Sequence, residues 1–265
     1  MRISWKFAFV AFLPFAHQIL GEESNASYAI PIIDIEVLVN GSVKEKKESV
    51  VQEIGKACEE IGFFAITNHG VDTDLIDATW DMTRKFFDLP IEEKMAVPSK
   101  EPEYPYGYEQ SERLVKGKST DRSQTTSDLC KLDEGDEKST CIDSDDNISP
   151  PDLKETFAIG PRDPEKSGMP GRRFPPKPEG MDKVYEDYFT SMEILTGRLL
   201  RSFALALDLK EDWFEDKMDR HMCALRALNY PDLEGVDPLP NQLRAGAHTD
   251  YGALTILKSG GAGLA

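Results

Sequence analysis

The stretch from residue 117 to residue 149 constrains the fold of this chain most, because it is polar, acidic and rich in Ser and Thr. Residues 121–150 carry nine Asp or Glu against three Lys or Arg. Such a segment cannot bury enough apolar surface to offset the conformational entropy that folding removes. The sequence therefore predicts a disordered insert at 117–149, and the hydrophobic core must come from the two flanking parts.

The composition of the whole chain is typical of a soluble globular protein. Of its 265 residues, 40% are hydrophobic, which is enough for one good core or two small domains. The formal net charge of −17 argues against nucleic acid or an anionic membrane as a partner, since phosphate contacts need clustered Lys and Arg. A small-molecule substrate is compatible with this charge, and the sequence leaves the oligomeric state open.

Hydrophobic periodicity predicts helices at 44–61, 75–86 and 181–207, where apolar residues recur on one helical face. Residues 63–66 are typical of a buried strand, and shorter strands are predicted at 222–230 and 244–258. Asn68-His69-Gly70 is predicted to be a turn, since Asn and Gly tolerate positive φ. His69 is therefore predicted to pack at the start of a helix and not to bind a metal.

His248 and Asp250 form the pattern that points to a metal. Residues two apart on a β-strand project to the same face, so this imidazole and this carboxylate can hold one ion together. With one further histidine they make the facial triad of non-haem Fe(II) oxygenases, which leaves coordination positions open for cosubstrate, substrate and dioxygen. The other histidines, His17, His69 and His221, all lie upstream.

The run around this pair, Leu243-Arg-Ala-Gly-Ala-His-Thr-Asp-Tyr-Gly-Ala-Leu-Thr-Ile-Leu257, resembles the iron-binding strand of the 2-oxoglutarate and Fe(II)-dependent dioxygenases. It is most similar to the branch that includes isopenicillin N synthase and the plant flavonoid and gibberellin oxidases. Further segments match this family in the same order, at residues 30–35, 57–71, 86–94, 106–108, 152–160 and 225–231. The resemblance covers residues from about 28 to 265, apart from the insert.

The resemblance implies a mixed α/β fold with a mainly β core. This core would be a double-stranded β-helix, or jelly roll, with flanking helices, incomplete at the C-terminus. Residues 28–116 would form the N-terminal dioxygenase region, and residues 150–265 a partial Fe(II)/2-oxoglutarate dioxygenase core. The family's second iron histidine, and the Arg-x-Ser that binds the distal carboxylate of 2-oxoglutarate, would lie beyond Ala265.

The resemblance also implies roles for individual residues. His248 and Asp250 would be metal ligands, and Tyr230 would donate a hydrogen bond to the 2-oxoglutarate carboxylate, with Asn229 beside it. The substrate pocket would be lined by Tyr106, Tyr108 and Phe157, although these residues fit an aromatic core equally well. Arg244 precedes the His-x-Asp pair and is predicted to be a surface or ion-paired residue.

A complete member of the family would bind Fe(II), 2-oxoglutarate and O2. It would hydroxylate or desaturate a small organic substrate and release succinate and CO2. Two alternatives stay open at this point. One is an oxidase like isopenicillin N synthase, which does not use 2-oxoglutarate, and the other is a non-catalytic truncated remnant or binding module.

Residues 1–21 have a basic start and a short apolar run, which is the outline of a signal peptide and is short for a membrane span. The alternatives are a buried N-terminal strand and a mispredicted start, in a cytoplasmic protein. In the secretory pathway, the Asn-x-Ser sequons at Asn25, Asn40 and Asn147 would accept glycans.

The four cysteines are widely spaced and form no CxxC, so a zinc site is not predicted. Cys58 and Cys223 lie in apolar patterns and are predicted to be buried thiols. Cys130 and Cys141 both lie in the acidic insert and could pair in an oxidising compartment.

Overall fold

The fold is taken from a computed structural model. The structure describes residues 30–41, 44–100, 103–110, 152–232, 242–246, 248, 250 and 252–259, together with the backbone of 8–12. The predicted insert at 117–149, with Cys130 and Cys141, lies outside the described residues. So do the sequons at Asn25 and Asn147.

Helices and strands are interspersed along the chain. The strands are β1 (Ala8–Phe12), β2 (Ile32–Asp34), β3 (Phe63–Thr67), β4 (Gly107–Glu109), β5 (Glu155–Ile159), β6 (Leu225–Asn229) and β7 (Leu254–Lys258). The helices are α1 (Glu36–Asn40), α2 (Lys44–Glu60), α3 (Thr73–Phe87), α4 (Ile91–Lys94), α5 (Pro164–Ser167) and α6 (Met181–Ala206). The described part of the protein is therefore a mixture of helix and sheet, as predicted.

The chain divides into two compact units. Unit 1 consists of Met1–Asp77, Glu186–Asp219 and Thr249–Ala265, and unit 2 consists of Ala78–Tyr185 and Arg220–His248. Each unit has a sheet of its own. The sheet of unit 1 has the strand order β2-β3-β1-β7 with parallel pairings, and that of unit 2 has the order β4-β5-β6 with antiparallel pairings.

The core of unit 1 forms where α2 and α6 cover buried strands. Ile54 of α2 and Phe64 of β3 are fully buried, and the ring of Phe64 meets that of Phe203 edge to face at 6.4 Å. A Cβ on Gly55 would lie 3.1 Å from Cβ of Ala206, so the two helices approach closely at this point. The predictions of a helix at 44–61 and of a strand at 63–66 are confirmed.

The turn after β3 is also as predicted. Asn68 and Gly70 have φ values of 53° and 74°. A Cβ on Gly70 would lie 2.7 Å from a side-chain carbon of Val39, so the turn has no room for a larger residue. Nδ1 of His69 accepts a hydrogen bond from the backbone N–H of Val71 at 3.1 Å, which agrees with a turn histidine before α3.

The core of unit 2 is aromatic. Phe86 lies at its centre, 4.8 Å from the ring of Phe157 and 6.0 Å from that of Tyr108. Tyr185, near the start of α6, meets Phe157 at 5.9 Å. The apolar stripes predicted for α3 and α6 therefore do pack in cores, and both helices agree with their predicted bounds to within two residues.

One cysteine prediction is confirmed in part and the other is wrong. Cys58 on α2 is half-buried, and burial raises the pKa of its thiol to about 11. Cys223 is exposed, because the backbone before β6 is irregular and the strand begins only at Leu225. Among the described helices, none is both long and apolar enough to cross a membrane.

Candidate metal centre

The backbone of the protein orients the side chain of His248. This residue is exposed, and its Nδ1 lies 2.8 Å from the carbonyl oxygen of Gly246. With the proton on Nδ1, that N–H donates to the carbonyl and Nε2 keeps the lone pair that binds metals. Histidine ligands in metalloproteins are held by this kind of second hydrogen bond.

Asp250 is half-buried, and its carboxylate Oδ2 accepts a short hydrogen bond from the hydroxyl of Thr255 on β7. The hydroxyl restricts the rotation of the carboxylate. A neutral imidazole and a carboxylate are a donor pair that suits Fe(II). In the part of the chain that the structure describes, no group of three or more His, Cys, Asp or Glu is placed to hold a metal ion.

The prediction that His248 and Asp250 share one strand is wrong. Strand β7 begins at Leu254, and neither of these two residues has strand backbone. The segment before them bonds to side chains and to a loop, because the N–H of Gly246 donates to Asp152 Oδ2 at 3.3 Å and the carbonyl of Leu243 accepts from the N–H of Leu153 at 2.9 Å. The two candidate ligands are therefore oriented by local hydrogen bonds and not by a strand.

Tyr230 directly follows β6 and is 39% exposed. The guanidinium of Arg244 donates to the backbone carbonyls of Tyr230 at 2.8 Å and Pro231 at 2.5 Å, and it lies 5.8 Å from the centre of the Tyr230 ring. Arg244 is itself exposed, as predicted for a surface residue. It fixes the backbone that carries Tyr230, while the hydroxyl role of Tyr230 stays a prediction.

A buried ion pair that the sequence analysis missed lies beside Asn229. Oε2 of Glu155 accepts from Lys94 Nζ at 2.8 Å and from the hydroxyl of Tyr108 at 2.5 Å, and Oε1 accepts from Asn229 Nδ2 at 2.8 Å. Lys94 Nζ also donates to the carbonyl of Phe87 at 3.1 Å. The signal in the sequence is the charged run Asp-Leu-Lys-Glu, which leads directly into an apolar strand.

The electrostatics of this cluster favour the charged form of Glu155. Burial by itself would raise the pKa of Glu155, but hydrogen bonds from Lys94, Tyr108 and Asn229 outweigh it and lower this pKa. Burial raises the pKa of Tyr108, and the adjacent Glu155 carboxylate raises it further. Tyr108 therefore acts as a neutral donor and Glu155 as a charged acceptor.

The three predicted pocket residues are all buried in unit 2. Tyr108 and Phe157 are 2% and 0% exposed and face each other across the β4–β5 pair. Tyr106 packs against Tyr104, and a Cβ on Gly160 would lie 2.2 Å from its ring. These positions favour the interpretation as aromatic core, and contact with a substrate stays a prediction.

Comparison with known proteins identifies the family. Residues 30–178 match the family described as non-haem dioxygenase in morphine synthesis, N-terminal. The chain belongs to this family, within the 2-oxoglutarate and Fe(II)-dependent dioxygenase superfamily. The resemblance seen in the sequence is thereby confirmed.

Relatives of this chain occur in plants and fungi. Homoarginine-6-hydroxylase 2-ODD-233 of Oryza sativa is 30% identical over 249 residues, which cover 86% of this chain and 65% of the relative. A 2-oxoglutarate-Fe(II) type oxidoreductase of Aspergillus fumigatus is 27% identical, over 88% of this chain and 63% of the relative. The chain thus spans slightly less than two thirds of the length of these proteins.

A solved structure supports the same relationship. A full-length protein of Neurospora crassa, crystallised in complex with alpha-KG, matches 84% of this chain with a TM-score of 0.61 and 25% identity. The match covers 61% of the Neurospora protein.

Proposed function

We propose that this chain is part of a non-haem Fe(II)- and 2-oxoglutarate-dependent oxygenase that hydroxylates or desaturates a small organic substrate. His248 would bind iron through Nε2, and Asp250 through a carboxylate oxygen. The orientation of His248 carries the proposal, because its Nδ1 faces the carbonyl of Gly246 at 2.8 Å. When bound, Fe(II) and 2-oxoglutarate would activate O2 and oxidise the substrate, with release of succinate and CO2.

The proposed cosubstrate contacts lie at the end of β6. The hydroxyl of Tyr230 would donate a hydrogen bond to a carboxylate of 2-oxoglutarate, and Asn229 would support the same end of the strand. The complex of the Neurospora protein with alpha-KG and the name of the Aspergillus relative support this choice of cosubstrate. The likeness to the Neurospora protein also supports the proposal that the described sheets belong to a jelly roll.

An anaerobic titration with Fe(II) in the presence of 2-oxoglutarate tests the proposal. A chelated iron complex gives a weak visible charge-transfer band, and we expect this band in the wild-type chain and its loss in His248→Ala. His69→Asn is the matched control, since Asn can accept the N–H of Val71 in place of the imidazole and keep the turn.

Other outcomes would favour the alternatives. A folded wild-type chain that gives no band would contradict the proposal and favour a non-catalytic remnant or binding module. Iron binding that does not respond to 2-oxoglutarate would favour an oxidase like isopenicillin N synthase.

A further inference from the structure

One buried carboxylate lies in the short segment before β5 and another is the first residue of β5, and each bonds to a segment that carries a residue of the proposed site. Asp152 is 3% exposed and Glu155 is 9% exposed. We infer that Asp152 is a positioning residue for His248 and that Glu155 is a positioning residue for Tyr230. The inference rests on the proposed function and deepens it.

Asp152 acts through Gly246. Oδ2 of Asp152 accepts from the N–H of Gly246 at 3.3 Å and forms an ion pair with Lys154 Nζ at 3.1 Å. The carbonyl of the same glycine lies 2.8 Å from Nδ1 of His248. A glycine has little intrinsic preference among backbone conformations, so the direction of this carbonyl depends on the bonds that hold the residue. The hydrogen bond that Gly246 donates to Asp152 is one of these bonds.

The segment from Leu243 to Gly246 is also hydrogen-bonded at its first residue, again to the segment before β5. The N–H of Leu153 donates to the carbonyl of Leu243 at 2.9 Å. Leu243 and Gly246 thus bond to two neighbouring residues, Leu153 and Asp152. The backbone between them is therefore restricted at both ends.

Glu155 acts through Asn229. The two residues are cross-strand partners in the β5–β6 pair, and Oε1 of Glu155 accepts from Asn229 Nδ2 at 2.8 Å. Oε2 is held by Lys94 and Tyr108, so the carboxylate cannot turn away from Asn229 without breaking two charge-assisted bonds. Asn229 ends β6 and Tyr230 follows it, so this bond fixes the strand end from which Tyr230 projects.

The charges themselves support a positioning role. Taking an ion pair out of water is costly, and well-packed apolar residues often stabilise a core equally well. Here the carboxylates of two ion pairs lie within four residues of the chain, and each carboxylate accepts a further hydrogen bond from a segment of the proposed site. If the carboxylates served stability alone, they would not need these further hydrogen bonds to segments of the proposed site.

The test measures the binding of Fe(II) and the binding of 2-oxoglutarate separately. In anaerobic titrations, we expect Asp152→Ala, which removes the acceptor of the Gly246 N–H, to weaken Fe(II) binding about tenfold, the lower end of the loss seen when outer-shell partners of ligands are removed. Binding of 2-oxoglutarate at saturating Fe(II) should stay unchanged in this variant. We expect Glu155→Gln to leave Fe(II) binding unchanged. It should weaken 2-oxoglutarate binding about fivefold, the loss that corresponds to one neutral hydrogen bond.

Glu93→Gln is the matched control, because it removes a partly exposed ion pair with Lys177 in the same unit. We expect both dissociation constants to stay unchanged. Where a single variant takes the carboxylate away from a buried lysine and fails to fold, Asp152→Ala/Lys154→Gln and Glu155→Gln/Lys94→Gln remove that lysine charge as well. Circular dichroism establishes which variants are folded.

Unchanged dissociation constants in folded Asp152→Ala and Glu155→Gln would overturn the inference. So would parallel losses of both ligands in both variants, since that result indicates a general loss of stability. If the wild-type chain binds neither Fe(II) nor 2-oxoglutarate, the proposed function fails. The ¹⁵N resonances of the His248 ring in the metal-free protein then test the positioning role of Asp152 by itself. We then expect the ¹⁵N shifts of an Nδ1-protonated ring in wild type and Glu155→Gln, and shifts averaged between the two tautomers in Asp152→Ala. Identical spectra would reject the positioning role.

Discussion

At the scale of single residues, the structure shows which hydrogen bonds orient the candidate ligands. His248 is oriented through the carbonyl of Gly246, and Asp250 through the hydroxyl of Thr255. The Glu155 carboxylate makes three charge-assisted contacts, because it accepts from an ammonium, a phenol and a carboxamide. The stability of unit 2 therefore depends on pH through the charge of Glu155.

The pKa of Glu155 lies below its ordinary value of 4.5 in the folded protein. The folded state therefore binds fewer protons than the unfolded state, and the stability that Glu155 contributes is present above the unfolded pKa and lost as pH falls through the folded pKa. We expect the melting temperature of the wild-type chain to fall between about pH 5 and pH 3 with a steeper slope than that of Glu155→Gln.

Thermal unfolding followed by circular dichroism across this pH range measures the effect. Glu93→Gln should keep the wild-type slope, since a largely exposed ion pair contributes little to stability. Equal slopes for wild type and Glu155→Gln would show that the carboxylate is not held in its charged form.

At the scale of elements, glycines decide how closely neighbouring segments pack. Gly160 directly follows β5 and packs against the ring of Tyr106, where a Cβ would lie only 2.2 Å away. Gly197 lies inside α6, where a Cβ would meet no atom of the described residues within 4 Å. The same substitution should therefore have opposite effects at the two positions.

We expect Gly160→Ala to lower the free energy of unfolding by about 3 kcal/mol, because the buried ring of Tyr106 must move. Gly197→Ala should raise this free energy by about 1 kcal/mol, because alanine favours the helix and has room there. Urea unfolding of both variants measures the two changes. A destabilised Gly197→Ala would mean that the helix packs differently at this position.

At the scale of the whole molecule, strand β1 gives the N-terminal segment a structural place in unit 1. Its backbone pairs in parallel with β3 on one side and with β7 on the other. This strand lies within the apolar run that outlines a signal peptide. Cleavage of that peptide stays a proposal, and the two roles make opposite predictions for a shortened chain.

We expect deletion of residues 1–21 to lower the melting temperature and to promote aggregation, because β3 and β7 would each lose a paired neighbour. Deletion of residues 1–6, which ends before β1, should leave both properties unchanged. Circular dichroism and size-exclusion chromatography measure the outcome. A fully stable chain without residues 1–21 would instead favour a cleaved signal peptide.

Local patterns in the sequence determined much of the fold. The helices α2, α3 and α6 follow from apolar residues at helical spacing, and the turn at Asn68 and Gly70 follows from residues that tolerate positive φ. The family followed from short motifs in a fixed order. All of these depend on residues that are close together in the chain.

Only the tertiary structure decided how the proposed site is held. Lys94 and Glu155 are 61 residues apart, Glu155 and Asn229 are 74 apart, and Asp152 and Gly246 are 94 apart. No local periodicity predicts such contacts, because they arise when distant segments pack and buried charges must find partners. The same packing left Cys223 exposed and placed His248 and Asp250 outside a strand. The sequence by itself thus determined the family, the main helices and the candidate ligands, while the fold selected the side chains that orient them.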